Sequence, residues 1–339
     1  MSNQHIENLK ISNFKCFKEL EVSNIGRVNL IGGKNNVGKT AFLEAVELFT
    51  SPRQPFELIF FASKILKRRQ ALINPFNQVI SFEIDFIHDD AEETEISSIS
   101  KVCKLKREVI IDANNTLPIE MIQASLNNSQ AQVPIEHIVN LGMPAIKCTL
   151  FISASKAQEQ DIATSLGLLA ELGREEFLNN SLSLFDENII ELKIIPKQNN
   201  TIVLKLRLKN RESLVLLSSL GEGVNRYIAI LCAIWASKDS VLLIDEIENG
   251  IHYTNYKKLW QIIFQASVDA NCQLFITTHS KECISAFNEV QLDNQYDACN
   301  SQYFEFYRNL KKDGIISASQ RDKEQLQYSL SHNGRIRGE

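Results

Sequence analysis

The sequence predicts an α/β fold in which helices flank a mostly parallel central sheet, with an antiparallel β subdomain and a helical insertion. Three observations predict this fold. Residues 27–50 contain a strand, a glycine loop and a helix, the last third alternates apolar strands with amphipathic helices, and the middle contains alternating strand patterns. A chain of 339 residues is long enough for one large domain or two modest ones. We interpret 1–339 as a single domain.

Composition and charge are those of an ordinary soluble protein. The net charge of −5 gives no global basic field for nucleic acid, although a local basic groove stays open. The seven cysteines are scattered and odd in number, which favours reduced thiols over a disulfide framework. The N-terminus is polar, and no apolar run approaches the roughly 18 residues that span a membrane. We therefore expect a cytoplasmic protein with no membrane partner.

Residues 1–150 are predicted to form an N-terminal lobe with the glycine loop and the antiparallel strands. IENLKISNF alternates apolar and polar residues as a half-buried strand does, and KELEVSNIG predicts a second strand and turn. Residues 78–90 and 100–112 are predicted as antiparallel neighbours. Residues 114–134 predict an exposed loop or a hairpin, and residues 146–155 predict a buried strand.

The rest of the chain divides into an insertion, 151–213, and a C-terminal lobe, 214–339. In the insertion, residues 156–186 have helical spacing and residues 188–210 predict a hairpin that turns at 198–200. The C-terminal lobe is predicted to contain helices over 222–238, 255–270 and from 281, strands over 240–246 and 272–280, a hairpin over 303–320 and a final helix over 321–334.

GKNNVGKT, residues 33–40, satisfies G-x-x-x-x-G-K-[ST], the loop that holds nucleotide phosphates. The strand before it and the helix after it argue against a chance match. Backbone N–H groups and the helix start would hold the phosphates, Lys39 would reach the β and γ oxygens, and Thr40 would ligate Mg²⁺. The residues expected to hold ATP here are Gly33, Lys34, Asn35, Asn36, Val37, Gly38, Lys39, Thr40 and Ala41.

Two strand ends in the last third carry the residues that could act on those phosphates. SVLLIDE delivers Asp245, which suits Mg²⁺ ligation opposite Thr40, and Glu246, which suits a general base that orients water. FITTHS ends in His279, whose imidazole could touch the γ-phosphate or its water. A solvated acidic loop and a structural histidine are the alternative interpretations.

SSLGEGVNR, residues 218–226, places small residues directly before a long helix and so predicts a second anion-binding helix start. One chain has little use for two such sites on one triphosphate. If the second site serves a neighbouring subunit, Ser219 and Gly221 contact the γ-phosphate of its nucleotide. The alternative is an ordinary helix start with glycine in the turn.

The order GKNNVGKT, SLGEGVNR, LLIDEIENGIHY and TTHS resembles the ABC-type ATPase heads of the SMC, RecF and OLD group, above all the OLD-like AAA-type ATPases of bacteria. ISNFKCFKEL is similar to the N-terminal strand and turn of that group, and the resemblance places Lys15 near the nucleotide. It covers 4–50 and 214–290 well. It implies a P-loop ATPase head that uses ATP and Mg²⁺, with Ser219, Gly221, Glu222 and Gly223 in the signature.

The sequence also departs from the group. SLGEG replaces the usual LSGGQ-like signature and leaves the function of Glu222 open, there is no convincing Q-loop glutamine, and Lys156 is a candidate basic contact. Full OLD proteins continue into a Toprim nuclease domain. This chain resembles the free-standing ATPase version, so we expect a separate effector.

The resemblance favours an ATP-driven switch that works as an ATP-sandwich homodimer or higher oligomer. Its partner would be a separate Toprim-type nuclease or toxin, in phage defence or DNA metabolism. The alternative is a RecF-like repair module that binds DNA. Its phosphate contacts would come from clusters that are also typical of solvated faces, Lys64, Lys67, Arg68 and Arg69 or Lys104, Lys106 and Arg107. A nuclease or a small-molecule kinase fits less well, because no other carboxylate cluster stands out and a kinase has no use for SLGEG.

Overall fold

The structure is a computed structural model that describes residues 5–73, 86–88, 91–110, 118–138, 149–154, 159–197, 202–309 and 314–332. The strands are β1 (Leu9–Phe14), β2 (Phe17–Val22), β3 (Val28–Gly33), β4 (Glu93–Ser98), β5 (Lys101–Ile110), β6 (Ile119–Leu126), β7 (Ser129–Pro134), β8 (Leu150–Ile152), β9 (Ile189–Pro196), β10 (Ile202–Leu208), β11 (Val215–Leu216), β12 (Val241–Ile244), β13 (Gln273–Thr277), β14 (Ser301–Asn309) and β15 (Ile315–Arg321). The helices are α1 (Lys39–Thr50), α2 (Pro55–Ile73), α3 (Ile135–Ile138), α4 (Glu159–Glu171), α5 (Glu175–Phe185), α6 (Glu222–Ala236), α7 (Tyr256–Asp269), α8 (Lys281–Gln291) and α9 (Lys323–Ser331).

The central sheet has the strand order β15-β14-β3-β13-β12-β8. Its strands from β14 to β8 are parallel to their neighbours, and only β15 at the edge is antiparallel. The predicted mostly parallel sheet is therefore confirmed. Because the carboxyl ends of β3, β12 and β13 meet at one edge, the segments that follow these three strands come together there.

Side-chain alternation in this sheet divides the hydrophobic interior into two cores. Leu274 and Ile276 of β13 pack with the helices α4 to α8, whereas Phe275 between them packs with α1 and α2. Each strand thus carries apolar side chains on both faces, which explains the short, fully apolar runs in the sequence.

The antiparallel subdomain is a sheet of the order β2-β1-β4-β5-β6-β7. The hairpin of β6 and β7 is the second of the two alternatives predicted for 114–134. The predicted pairing of 78–90 with 100–112 is wrong, because the antiparallel neighbours of β5 are β4 and β6. Most of 78–90 lies outside the described residues, and Ile87 forms an isolated bridge with Phe14 of β1.

The insertion contains α4 and α5 followed by the antiparallel pair β9 and β10, as predicted. The turn predicted at 198–200 lies outside the described residues. Within the described residues 149–154, the strand predicted over 146–155 is β8, whose three residues are half-buried at the sheet edge and not buried as predicted. The predicted tail hairpin and final helix are β14, β15 and α9.

No helix in the described part of the chain is both long and apolar enough to cross a membrane.

Candidate nucleotide site

The glycine loop joins the end of β3 to the start of α1. Gly33 has a φ of 143° and Gly38 a φ of 80°, which are conformations that favour glycine. A Cβ at Gly38 would lie 2.6 Å from the Cys16 Sγ, so a side chain there would also collide with the turn between β1 and β2. Both glycines therefore meet a conformational demand, and Gly38 also meets a steric one.

The Lys39 side chain is buried within this loop. Its Nζ donates hydrogen bonds of 2.8 Å to the carbonyl oxygens of Gly33 and Lys34 and lies 3.2 Å from His279 Nδ1. Burial lowers the pKa of Lys39 to about 8, although Asp245 and other carboxylates of the site oppose this effect. A cation in such surroundings is stabilised by an incoming anion, and phosphate is one.

Thr40 and Asp245 meet beside Lys39, as the sequence predicted. Thr40 Oγ1 donates to Asp245 Oδ2 at 3.0 Å, and Thr277 Oγ1 donates to Asp245 Oδ1 at 2.5 Å. Burial raises the pKa of Asp245 despite these two hydrogen bonds, so the carboxylate would be stabilised by a cation. A hydroxyl beside a carboxylate is the hard oxygen donor set that Mg²⁺ prefers, so these residues fit that ion.

Glu246 follows Asp245 in a left-handed conformation with a φ of 48°. Such a conformation costs a non-glycine residue about 1–3 kcal/mol and persists only when the surroundings fix it. Here the Glu246 N–H donates to Thr277 Oγ1 at 2.9 Å, and Glu246 Oε1 lies 3.1 Å from His279 Nε2. The predicted base and the predicted histidine are therefore in direct contact, and each side chain is one-third exposed.

Two further residues fix these groups, and sequence reasoning assigned neither of them to the site. Asn249 Nδ2 donates to Glu246 Oε2 at 2.8 Å and to the Ala154 carbonyl at 3.1 Å. Glu248 Oε1 accepts the backbone N–H of His279 at 2.5 Å. Both belong to the quoted run IDEIENG, and their place two and three residues after the base was the available signal.

Arg226 ties α6 to the same segment. Its guanidinium donates to the carbonyl oxygens of Ser153 at 2.5 Å, Asp245 at 2.7 Å and Glu246 at 3.2 Å, and the residue is 3% exposed. The sequence showed this arginine after the signature but gave no contact for it. Arg226 thus connects α6 with the loop that carries Asp245 and Glu246.

The signature residues lie at the exposed start of α6. Ser219 and Gly221 are exposed, and Gly221 is the residue directly before the helix. Gly223 has a packing function inside the chain, since a Cβ there would lie 2.7 Å from the Gly250 carbonyl oxygen. The Glu222 side chain lies against Gly250 as well, which gives the glutamate a contact that the sequence left open.

A cavity of about 750 Å³ opens over the glycine loop, a size suitable for a nucleotide. Its described lining residues are Lys15, Cys16, Asn35, Asn36, Gly38, Lys39, Thr40, Ala41, Arg69, Glu246 and His279. Lys15, which the resemblance places near the nucleotide, lines this cavity. Residues 219–223 are not among the described lining residues, and Val37 is buried in the core beneath the loop. Lys156 lies outside the described residues.

The two basic clusters considered for DNA face carboxylates of the same chain. Arg68 Nη2 lies 2.9 Å from Glu47 and Arg69 Nη2 lies 2.6 Å from Glu44, both buried on α1. The β5 residues are paired in the same way, with Lys104 at 2.8 Å from Glu93. These pairs reduce the positive field that either cluster presents to a phosphate backbone.

The fold is that of an ABC-type P-loop ATPase head. An SMC head bound to the C-terminal winged-helix domain of ScpA has a TM-score of 0.55 at 14% identity, and the match covers 96% of this chain and 99% of that one. An SMC head of Pyrococcus furiosus with an extended coiled coil, bound to the C-terminal domain of ScpA, gives 0.51 at 13% identity, with 97% and 99% covered. At these identities the likeness is one of fold.

Sequence comparison identifies the family. The AAA ATPase domain family matches residues 5–163 and 108–284, so the chain belongs to this family and is an ATPase. An ATP/GTP phosphatase of Helicobacter pylori is 26% identical over 332 residues, which cover 84% of this chain and 88% of that protein. An uncharacterised protein of Methanocaldococcus jannaschii, MJECL10, is 44% identical over 62 residues, or 18% of this chain and 27% of that protein.

Proposed function

We propose that the chain hydrolyses ATP at the cavity over the glycine loop, with Glu246 as the general base. Glu246 accepts a proton from the attacking water, while His279, in contact with the same carboxylate, orients that water toward the γ-phosphate. Lys39 and the backbone of residues 33–41 hold the phosphates. Thr40 and Asp245 would hold Mg²⁺, which when bound neutralises phosphate charge.

The observation that carries this proposal is the convergence of several contacts at one site. His279 lies 3.2 Å from Lys39 and 3.1 Å from Glu246. Thr40, next to Lys39, donates to Asp245 at 3.0 Å. These residues come from α1 and from the ends of β12 and β13, so their meeting depends on the fold and not on local sequence. Glu246→Gln keeps the shape of the side chain but cannot accept the proton. We expect turnover to fall at least roughly 100-fold while ATP still binds.

We further propose that ATP joins two copies of the chain and that hydrolysis releases them. Two observations support this proposal. Ser219 and Gly221 are exposed, and residues 219–223 are not among the described residues that line the cavity over the glycine loop of the same chain. A second copy would bring these two residues to the γ-phosphate. Each site is then completed by the neighbouring chain, and hydrolysis at Glu246 resets the dimer.

Two experiments test the dimer. Glu246→Gln with Mg²⁺ and ATP should form a stable dimer by light scattering and a monomer with ADP, whereas the same variant carrying Lys39→Ala should stay monomeric. If Glu246→Gln stays monomeric with ATP under all conditions, the dimer proposal is wrong.

In the second experiment, two inactive variants are mixed, Lys39→Ala and Gly221→Arg. The mixture should regain activity, since one site then combines an intact loop with an intact signature.

The partner is proposed from the resemblance to OLD-like ATPases. We infer that the nucleotide state of the dimer controls a separate Toprim-type nuclease or toxin, in phage defence or DNA metabolism. Products of neighbouring genes should co-purify with Glu246→Gln in ATP and be released in ADP. Co-purification that is identical in both nucleotides would contradict control by the nucleotide.

A further inference from the structure

Arg69 reaches the nucleotide cavity from α2, a helix that the sequence did not connect with ATP. It lines this cavity together with Lys15, Lys39 and Glu246. The described lining of the cavity thus includes three cationic side chains and one carboxylate. Since ATP carries several negative charges on its phosphates, a cavity with this balance suits its phosphate end.

Glu44 holds Arg69 and Lys15 at this wall. Glu44 lies one turn after Thr40 on α1 and is 1% exposed. Its Oε1 accepts from Arg69 Nε at 2.7 Å and its Oε2 accepts from Arg69 Nη2 at 2.6 Å and from Lys15 Nζ at 2.7 Å. The bidentate pair fixes the plane of the guanidinium, so Arg69 is positioned before any ligand binds.

The cations that face α1 differ in whether they reach the cavity. Glu44 and Glu47 of α1 face Lys15 in the turn between β1 and β2 and, on α2, Lys64, Arg68 and Arg69. Two of these cations, Lys64 and Arg68, pair with Glu47, and neither is among the described residues that line the cavity. Lys15 and Arg69 share Glu44 and do line the cavity, so these two cations lie where a phosphate would enter.

We propose that Arg69 binds phosphate oxygens of the nucleotide while Glu44 orients it. This inference rests on the proposed function, namely that ATP occupies the cavity over the glycine loop. A guanidinium carries five N–H donors in a rigid plane and can hold a carboxylate and a phosphate at once. In this proposal the member of the basic cluster of α2 that lines the cavity, Arg69, acts on the nucleotide.

The neighbouring arginine on α2 offers a matched control. Arg69→Gln and Arg68→Gln each remove one charge beside a buried glutamate, and in each case glutamine can still donate a hydrogen bond to that carboxylate. Arg68 lies over the Phe151 ring, pairs with Glu47 at 2.9 Å and reaches Glu44 only at 3.9 Å. It is not among the described residues that line the cavity. If both arginines are merely structural, the two variants should lose similar amounts of ATP affinity. If Arg69 binds phosphate, only Arg69→Gln should lose ATP affinity.

Affinity for Mg²⁺-ATP, measured with a fluorescent analogue, and the melting temperature without nucleotide decide the question. We expect Arg69→Gln to bind ATP roughly tenfold more weakly than the parent, Arg69→Lys to recover part of the loss, and Arg68→Gln to stay within about twofold. Equal affinity in Arg69→Gln and the parent, or equal losses in both glutamine variants, would overturn the proposal.

Lys39→Ala separates this proposal from the proposed function. If Lys39→Ala loses ATP binding and Arg69→Gln does not, only the assignment of Arg69 fails. If Lys39→Ala binds ATP as the parent does, the nucleotide site itself is misplaced.

Discussion

Two helices of this molecule begin directly after a glycine, α1 after Gly38 and α6 after Gly221, and neither start has a side-chain cap. The first N–H groups of a helix have no partner within the helix, so both starts can bind an anion. At α1 the chain encloses the start, with the Gly38 backbone against Cys16 and with Lys39 buried. At α6 a Cβ on Gly221 would meet no described atom within 4 Å. The start of α1 is therefore surrounded by groups of its own chain. The start of α6 has room for a group from another molecule.

Alanine at each glycine is the strongest way to break this comparison. Gly38→Ala forces a left-handed backbone on alanine and a collision with Cys16, which together should cost roughly 2–4 kcal/mol of unfolding free energy and most of the ATP affinity. Gly221→Ala adopts its backbone without strain and should stay within about 0.5 kcal/mol of the parent. Chemical denaturation measures both, and equal losses would show that the two starts are equally enclosed.

Arg226 connects the start of α6 with the loop that carries Asp245 and Glu246. Arg226→Ala leaves buried carbonyl oxygens without their donor and should cost about 1–3 kcal/mol, with turnover reduced more than ATP affinity. Arg207→Ala removes an exposed arginine paired with Glu191 and should cost less than about 1 kcal/mol. Unchanged turnover in a folded Arg226→Ala protein would mean that α6 and the catalytic loop act independently.

Asn249 tests the catalytic loop itself. Asn249→Ala removes the hydrogen bond to Glu246 Oε2, so we expect turnover to fall about tenfold while ATP affinity stays the same. Turnover and a direct binding titration, compared with Asn210→Ala on the surface, measure this effect. A loss of affinity without a loss of turnover would assign Asn249 to nucleotide binding instead of to positioning the base.

Much of the site could be predicted because its parts follow the ends of neighbouring strands. Gly38, Asp245 and His279 stand out as short patterns after apolar runs, and parallel strands bring their carboxyl ends to one edge. Arg69 has no comparable pattern, and the only sequence signal for Asn249 is its place three residues after Glu246. Their contacts depend on the approach of α2 to α1 and on the unusual backbone of Glu246, and both arise only in the folded chain.

The fold shows the same limit. The central sheet was predictable because its strands are apolar on both faces, whereas β4 was missed since only Thr94 and Ile96 of its six residues are buried. A polar strand between two others is specified by its neighbours, β1 and β5, more than by its own residues. Its omission led to the incorrect pairing predicted for 78–90.

Glu44 allows the enclosed start of α1 to be tested by pH, with the smallest expected effect. Burial raises its pKa, but Lys15 and Arg69 outweigh burial, so the pKa of Glu44 lies below its usual range. The unfolded chain therefore binds the proton first, near pH 4.3. The stabilisation from this carboxylate is complete above that pH and is lost as pH falls through the lower folded pKa.

The melting temperature of the parent should therefore fall more steeply between about pH 5 and pH 3 than that of Glu44→Gln does. Glu176→Gln, on the exposed face of α5, should follow the parent. Parallel curves for the parent and Glu44→Gln would show that the pairing beneath the cavity does not stabilise the charged carboxylate.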